Sequence, residues 1–181
     1  MRMPGRKRTM LSHLKPIKSP AACITLATAA DAGALAALYA EALPPGWPAD
    51  ELAKACSDPS RAVLKATERA YLRGFLILQF AADEAEILAI ATAKDWRRLG
   101  CAESLLRRGI SACQDRVMSC IYLEVAESNT PARGLYEKFG FLVIGRRENY
   151  YRSSSSAFET ALIMRRDAKL PAPVDLEKSC T

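Results

Sequence analysis

The sequence has very little of the chemistry that metal sites and covalent catalysis require. Its single histidine, His13, lies near the start of the chain and outside the expected folded region, which argues against a catalytic triad built on imidazole. None of the six cysteines forms a C-x-x-C pair, so neither a structural zinc site nor a thioredoxin-like motif is expected. We expect reduced, mostly buried thiols, as is usual for cytoplasmic proteins.

Long apolar segments are also missing. The most apolar stretch, Gly74–Ala82, is interrupted by Gln79 and is much shorter than the roughly 18 residues of a membrane-spanning helix. The chain has 181 residues, of which 50% are hydrophobic and 25% are charged. This composition fits one soluble globular domain and excludes a disordered or low-complexity protein.

The net charge of +6 is concentrated at the N-terminus. Residues 1–20 carry six basic and no acidic side chains, so this segment accounts for the whole excess. We expect residues 1–20 to form a flexible basic arm. A solvated tail, a weak contact with RNA or the ribosome, and a targeting peptide are the alternative interpretations of such an arm.

The pattern of apolar residues predicts an α/β domain over residues 21–167, with one central sheet. The predicted order is βααβββαβαββ. Helices are expected at about 31–43, 49–56, 98–117 and 131–139, and strands at about 23–27, 62–67, 70–80, 85–93, 120–126, 141–144 and 157–164. Residues 168–181, with two prolines, are expected to form a flexible C-terminal tail.

A strand, a tight basic turn and a long helix follow one another around residues 86–117. Arg97 and Arg98 precede Gly100, and the helix begins close to this glycine. Unpaired backbone N–H groups at a helix N-terminus favour a phosphate or pyrophosphate, and glycine allows a ligand to approach closely. A helix-capping turn without a ligand is the alternative for this segment taken alone.

Two motifs together resemble the GNAT acyltransferase superfamily. They are Arg97-x-x-Gly100-x-Ala102, which matches the acetyl-CoA pyrophosphate motif, and the segment from Asn129 through Leu135-Tyr136-x-x-x-Gly140-Phe141. Within the superfamily the chain looks most like the RimI-type ribosomal-protein-alanine N-acetyltransferases. That resemblance is carried by Glu86-Ile-Leu-x-Ile-Ala, Leu123-Glu124-Val-x-x-x-Asn129 and Gly145-Arg146-Arg147-x-x-Tyr150-Tyr151.

The resemblance implies the GNAT fold, a single domain whose central mixed, largely antiparallel sheet is flanked by helices. It also implies acetyl-CoA as acyl donor, no metal, Glu124 as general base and Tyr136 as general acid. The residues that it implies for donor binding are Ile90, Ala91, Thr92, Arg97, Arg98, Leu99, Gly100, Cys101, Ala102, Glu103 and Asn129. Tyr150 and Tyr151 match the peptide-binding wall.

The implied residue types suit the transfer of an acetyl group to an amine. A protonated amine cannot attack a thioester, so a carboxylate is needed to take a proton, and a phenol can protonate the departing thiolate. An α-amine has a pKa about 2.5 units below that of lysine, which corresponds to about 3.5 kcal/mol of deprotonation near neutral pH. One carboxylate base therefore suits a peptide N-terminus better than a lysine.

We therefore expect a cytoplasmic enzyme that acetylates a protein N-terminal amine, with the N-terminal alanine of a small-subunit ribosomal protein as the leading acceptor. One alternative is a GNAT enzyme acting on another peptide N-terminus or on a small amine. The other is a catalytically silent module that binds acyl-CoA or RNA.

Overall fold

The computed structural model describes residues 22–152 and 158–173, and in this part the chain forms one seven-stranded sheet flanked by four helices. The strands are β1 (Cys23–Leu26), β2 (Arg61–Glu68), β3 (Tyr71–Ala81), β4 (Glu84–Thr92), β5 (Cys120–Ala126), β6 (Leu142–Arg152) and β7 (Phe158–Asp167). The helices are α1 (Ala32–Ala42), α2 (Ala49–Ser57), α3 (Cys101–Asp115) and α4 (Thr130–Lys138). The predicted order of elements is confirmed. None of the described helices is long and apolar enough to cross a bilayer.

The strands lie in the order β1-β2-β3-β4-β5-β7-β6. Neighbouring strands are antiparallel except β4 and β5, which are parallel and are joined through α3. A parallel pair requires a crossover connection, which here is the helix. The predicted mixed, largely antiparallel sheet is therefore confirmed.

Helices cover the sheet on both faces, which explains why β3 is apolar along most of its length. On one face, Leu76 and Leu78 pack with the buried side of α3. On the other face, Phe75 and Ile77 pack with the buried sides of α1 and α2. The two faces are therefore two separate apolar layers, and the sheet lies between them.

Helix α3 begins at Cys101, three positions later than the predicted start at about Arg98. Arg98 has a φ of +62° and Gly100 has a φ of +81°, and neither value is compatible with a right-handed helix. The basic residues therefore belong to the turn that precedes the helix.

The packed part of the chain extends past the predicted boundary at residue 167, as far as Pro173. Ala168 has no exposed surface, and its carbonyl oxygen accepts a hydrogen bond from Gln114 of α3. Arg107 of the same helix donates to the carbonyl oxygen of Pro173. Arg166, which is only 1% exposed, donates to the carbonyl oxygens of Phe139 and Pro171. Residues 168–173 therefore pack on the body of the protein.

Candidate active site

Strands β4 and β5 separate part of the way along the sheet. Their parallel pairing extends only from Glu84–Cys120 to Ile87–Leu123, although β4 continues to Thr92 and β5 to Ala126. In β4, the register with β3 passes over Leu88, which forms a bulge. A bulge bends its strand and increases the local twist. The result is a gap between the two strands, and the candidate site lies at this gap.

The basic turn lies at the end of β4. Gly100 is the N-cap of α3, and it has no side chain that could accept a hydrogen bond from the start of the helix. The first N–H groups of a helix have no partner within it. Arg98 is a non-glycine residue in the left-handed region, a strained conformation of the kind found at ligand sites. The turn therefore presents free backbone donors and positive charge, which together favour a bound anion.

A cavity of about 610 Å³, which we call the turn cavity, lies between this turn, β4 and α4. Its volume is in the range of sites for drug-sized ligands. The cavity is lined by Ala42, Leu43, Ile90, Ala91, Thr92, Trp96, Arg97, Arg98, Gly100, Cys101, Ala102, Glu103, Asn129, Pro131, Ala132, Leu135 and Tyr136.

The structure brings the predicted donor-binding residues together in the turn cavity, with one exception. Leu99 does not line the cavity and is 46% exposed. Sequence reasoning missed the apolar wall that Ala42 at the end of α1, Leu43 directly after it and Leu135 of α4 provide. No local signal could have identified Ala42 and Leu43, because α1 lies far from the turn in the sequence.

Glu103 is held by two cations. Its carboxylate accepts hydrogen bonds from the Nζ of Lys138 at 2.8 and 2.9 Å and from Arg107 at 3.2 Å. An acid near a bound pyrophosphate is unfavourable unless its charge is compensated. The two cations supply this compensation, and the contact from Lys138 also joins α3 to α4.

Asn129 and Tyr136 place α4 beside the turn cavity. Asn129 is the N-cap of α4, and its Oδ1 accepts a hydrogen bond from the backbone N–H of Ala132 at 3.2 Å. Tyr136 is 5% exposed, and its ring packs edge-on against Phe141 with 5.8 Å between centroids. Tyr136 is therefore fixed by the core on one side and borders the cavity on the other.

Cys101 is the first residue of α3 and borders the same cavity. Burial raises the pKa of its thiol to about 11, so the thiol is neutral at physiological pH. A neutral buried thiol is a poor nucleophile. The arrangement therefore favours direct transfer between two bound substrates over a covalent cysteine intermediate.

A second cavity, of about 310 Å³, lies where β4 and β5 are still paired. We call it the acidic cavity; its lining residues are Gln79, Ala81, Glu84, Ala85, Glu86, Tyr122, Leu123, Glu124, Arg147 and Ile163. Glu86 and Glu124 alternate with residues that pack beneath α3, among them Ile87 and Leu123. The two carboxylates therefore point to the opposite face of the sheet.

Glu124 is paired with Arg147 of β6, with 2.9 Å between its Oε1 and the Nη1 of the arginine. The nearby carboxyl group of Glu86 has a raised pKa, first because of burial and second because of the negative charge of Glu124, while Arg147 acts in the opposite direction. Three carboxylates, Glu84, Glu86 and Glu124, and one guanidinium group thus line this cavity and leave it net negative.

The two side chains with implied acid–base roles line different cavities. Glu124 lines the acidic cavity and Tyr136 lines the turn cavity. Tyr150 and Tyr151 follow Arg147 on β6, and their side chains lie outside the described residues. In the described part of the chain, no group of three or more His, Cys, Asp or Glu side chains is arranged to hold a metal ion.

The chain is similar in sequence to known acetyltransferases. The model of the acetyltransferase (GNAT) family matches residues 32–141. A [ribosomal protein bS18]-alanine N-acetyltransferase of Haemophilus ducreyi is 39% identical over 101 residues, which are 56% of this chain and 70% of the relative. A protein of Bacillus subtilis that is named as a putative enzyme of the same kind is 37% identical over 94 residues, 52% of this chain and 60% of the relative.

A solved structure shares the whole architecture. The crystal structure of the ribosomal-protein-S18-alanine N-acetyltransferase from Escherichia coli superimposes with a TM-score of 0.74 at 28% identity, covering 88% of this chain and 99% of the other. Three observations point to the same family: the match to the family model, the mixed sheet with its separated β4 and β5, and the basic turn before α3. The chain therefore belongs to the GNAT family of acetyltransferases.

Proposed function

We propose that the chain transfers the acetyl group of acetyl-CoA to the α-amine of the N-terminal alanine of ribosomal protein bS18. The observation that carries the proposal is the pair of cavities at the gap between β4 and β5, one suited to an anionic donor and one to a cationic acceptor. The named activity of relatives at 36–39% identity supports this acceptor. Such an acceptor would place the enzyme in the cytoplasm.

The donor lies in the turn cavity in this proposal. Backbone N–H groups at the start of α3, with Arg97 and Arg98, bind the pyrophosphate of acetyl-CoA. The free backbone of β4 from Ile90 to Thr92 borders the same cavity and pairs with the pantetheine arm. The acetyl group then reaches the gap beside the phenol of Tyr136.

The acceptor amine enters from the acidic cavity. Its positive charge is attracted by Glu86 and Glu124, and Glu124 takes a proton so that the nitrogen can attack the thioester carbonyl carbon. A backbone N–H of β4 near Thr92 stabilises the oxyanion. The base is thus on the side of the amine and the acid, Tyr136, is on the side of the departing thiolate, which explains why the two line different cavities.

Mass spectrometry tests the proposal directly. Ribosomal proteins from cells that lack this protein should contain bS18 with an unmodified N-terminal alanine. Restoring the gene should restore the acetyl group, which adds C₂H₂O, about 42 Da, to the mass of bS18. An N-terminus that stays acetylated in those cells would contradict this acceptor.

Purified protein separates the alternatives. Thiol release from acetyl-CoA should be fastest with a peptide that copies the N-terminus of bS18, compared with peptides of other first residues and with small amines. A faster reaction with one of those amines would indicate another acceptor. Binding of acetyl-CoA in a calorimeter without turnover on any amine would instead indicate a silent module.

Substitutions in the two cavities should have the same effect on turnover and no large effect on donor binding. We expect Glu124→Gln and Tyr136→Phe each to lower kcat by about 10²-fold or more, because each removes one acid–base group. The Kd of acetyl-CoA should change less than about threefold for Glu124→Gln, which lies outside the turn cavity. Steady-state kinetics and calorimetry measure both quantities, and wild-type kcat in either variant would remove that residue from the mechanism.

A further inference from the structure

Among the residues that line the acidic cavity, Arg147 of β6 carries the positive charge. An acceptor amine enters such a cavity as an ammonium group, and a cation there repels it, because like charges repel. The Nη1 of Arg147 lies 2.9 Å from the Oε1 of Glu124, which is the carboxylate that takes a proton from the amine. The position of this guanidinium group therefore indicates a role other than attracting the acceptor.

The sheet register brings Arg147 to Glu124 from two strands away. Glu124 of β5 pairs with Ile163 of β7, and Ile163 pairs in turn with Gly145 of β6. Arg147 is two residues beyond Gly145 and points to the same face of the sheet. The long side chain of the arginine therefore crosses β7 and places its charged end at the carboxylate.

The neighbours of this ion pair on β7 and β5 leave room for the crossing. Ala161 of β7 pairs with Arg147 on one side and with Ala126 of β5 on the other. Directly paired residues lie on the same face of a sheet, so two methyl groups flank the path of the arginine. Ala161 has no exposed surface. A large side chain at this position would stand where the guanidinium group crosses.

The preceding residue makes the same kind of ion pair on the other face of the sheet. Arg146 points away from Arg147 because successive side chains of a strand alternate. It is paired with Glu127 at 3.1 Å and lines neither cavity. Two adjacent arginines thus pair with two glutamates at the end of β5 and directly after it, and one of these pairs lies in the acidic cavity.

We propose that Arg147 is a positioning residue for the proton transfer, whose guanidinium group keeps the carboxylate of Glu124 ionised and aimed at the gap between β4 and β5; this inference rests on the proposed function. The ammonium group of the acceptor enters beside the same carboxylate and gives it a proton. Arg147 itself neither gains nor loses a proton. It acts on the reaction through Glu124.

The charges around the pair determine how its effect changes with pH. The negative charge of Glu124 helps burial, the larger cause, to raise the pKa of Glu86, and Arg147 lowers that pKa. The same guanidinium group favours the ionised form of Glu124, which is closer to it. In the described part of the chain, the other charged or titratable side chains on this face of β4, β5 and β7 are Glu84, Glu86, Cys120, Tyr122, Glu159 and Arg165.

The test compares Arg147→Gln with Arg147→Lys and with Arg146→Gln as a matched control. Arg146→Gln removes the same charge one position away, from the opposite face of the strand. The probe is a synthetic peptide that copies the N-terminus of bS18 and begins with alanine. For each protein, kcat and the KM of the peptide are measured against pH, and the Kd of acetyl-CoA and the melting temperature are measured in parallel.

We expect Arg147→Gln to lower kcat about tenfold or more near neutral pH. It should also move the acidic limb of the pH profile to higher pH by about half a unit or more, because the carboxylates hold their protons more tightly without the guanidinium group. The KM of the peptide should not rise, since the charge that is lost repelled the ammonium group. Arg147→Lys keeps the charge and should leave the limb near its wild-type position, and Arg146→Gln should match the wild type.

A double variant shows whether Arg147 acts through Glu124. In the Glu124→Gln protein, the further change Arg147→Gln should lower the remaining kcat by less than about twofold, because the carboxylate that it positions is already gone. Additive losses, an unmoved acidic limb, a higher KM that accounts for the lost activity, or an equal loss in Arg146→Gln would overturn the inference. If the wild-type protein does not acetylate the peptide at all, the proposed function fails before the variants are compared.

Discussion

Gly74 of β3 lies beneath the N-terminus of α3. A Cβ atom at this position would be 2.8 Å from the carbonyl oxygen of Ala91 and 3.0 Å from both the Sγ of Cys101 and the Cδ1 of Leu105. The first of these contacts is with backbone, which cannot move aside as a flexible side chain can. The absence of a side chain therefore allows the start of α3 to approach the sheet closely enough to form the turn cavity.

We expect Gly74→Ala to lower the free energy of unfolding by about 2 kcal/mol, because the added methyl group overpacks the core, and to weaken acetyl-CoA binding. Gly134→Ala is the matched control, since a Cβ there meets nothing within 4 Å and alanine favours the helix by up to about 1 kcal/mol. Urea titration and calorimetry measure the two effects. Equal stability of the two variants would contradict the close approach.

The charged partners of residues near the site could not be predicted from the sequence. Glu103 is visible in the basic turn, but the Lys138 that neutralises it is 35 positions away, on a helix whose packing against α3 no local pattern specifies. The same holds for Glu124, whose partner Arg147 comes from β6. The implied roles of the residues could be assigned from motifs, whereas their electrostatic partners depend on tertiary structure.

The helices and strands themselves could be predicted, because each depends on local periodicity. The four helices and seven strands of the described chain follow the predicted order, and most boundaries agree within a few residues. Two boundaries differ clearly from the prediction. Strand β6 continues to Arg152, past the expected end at about residue 144, and α3 begins later than expected, since the left-handed backbone of Arg98 is a property of the turn and not of its residue type. Local pattern thus determines which element forms, and the turn determines where it begins.

At the beginning of α1, Asp31 joins a helix to a strand. Its carboxylate accepts hydrogen bonds from the backbone N–H of Thr28 at 2.8 Å and from the Nζ of Lys65 of β2 at 2.7 Å. The bond from Lys65, and then that from Thr28, lower the pKa of Asp31 below its ordinary value of 3.8. A carboxyl group with a lowered pKa stabilises the folded state above that ordinary value.

We therefore expect Asp31→Asn to lower the free energy of unfolding by about 1 kcal/mol near pH 7. The difference from the wild type should disappear as the pH falls from 3.8 through the lower pKa of the folded state, where the wild-type carboxylate becomes protonated. Asp50→Asn is the control, because its pair with Lys54 is 70% exposed on the aspartate side. Denaturant titration at several pH values measures the free energy of unfolding of the wild type and of both variants. A difference between Asp31→Asn and the wild type that persisted at the lowest pH would contradict the stabilising role of the ionised Asp31 carboxylate.

At the scale of the whole molecule, Arg166 connects three parts of the chain. Its guanidinium group donates to the carbonyl oxygen of Phe139 at the end of α4 at 2.6 Å and to that of Pro171 at 3.1 Å. A buried guanidinium group requires such partners, because an unpaired buried charge is strongly unfavourable. Residues 168–173 therefore help to hold α4, which carries Tyr136.

A chain that ends at Asp167 should be about 2–4 kcal/mol less stable than the full chain, since it leaves donors of Arg166 and Gln114 without acceptors. A chain that ends at Pro173 keeps these contacts and should retain the stability of the full chain. Thermal and urea unfolding of the three proteins make the comparison. Equal stability of the two shortened chains would show that residues 168–173 contribute nothing.

The two cavities of the candidate site differ in how well the sequence predicts their lining residues. The turn cavity was largely predictable, because most of its lining belongs to two short segments, residues 90–103 and 129–136. The acidic cavity was not, because β3, β4, β5, β6 and β7 each contribute to it, and only their register brings Glu86 beside Glu124.

The separation of β4 and β5 has a consequence for the design of inhibitors. The turn cavity lies at the N-termini of α3 and α4 and extends across the gap to Ala42 of α1, whereas Glu86 and Glu124 line the acidic cavity on the face opposite α3. A compound that joins a donor mimic to an acceptor mimic must therefore thread through the gap, and its linker can be no wider than the space between two strands. A thin, unbranched linker should give tight inhibition, and a bulky ring in the same place should abolish it.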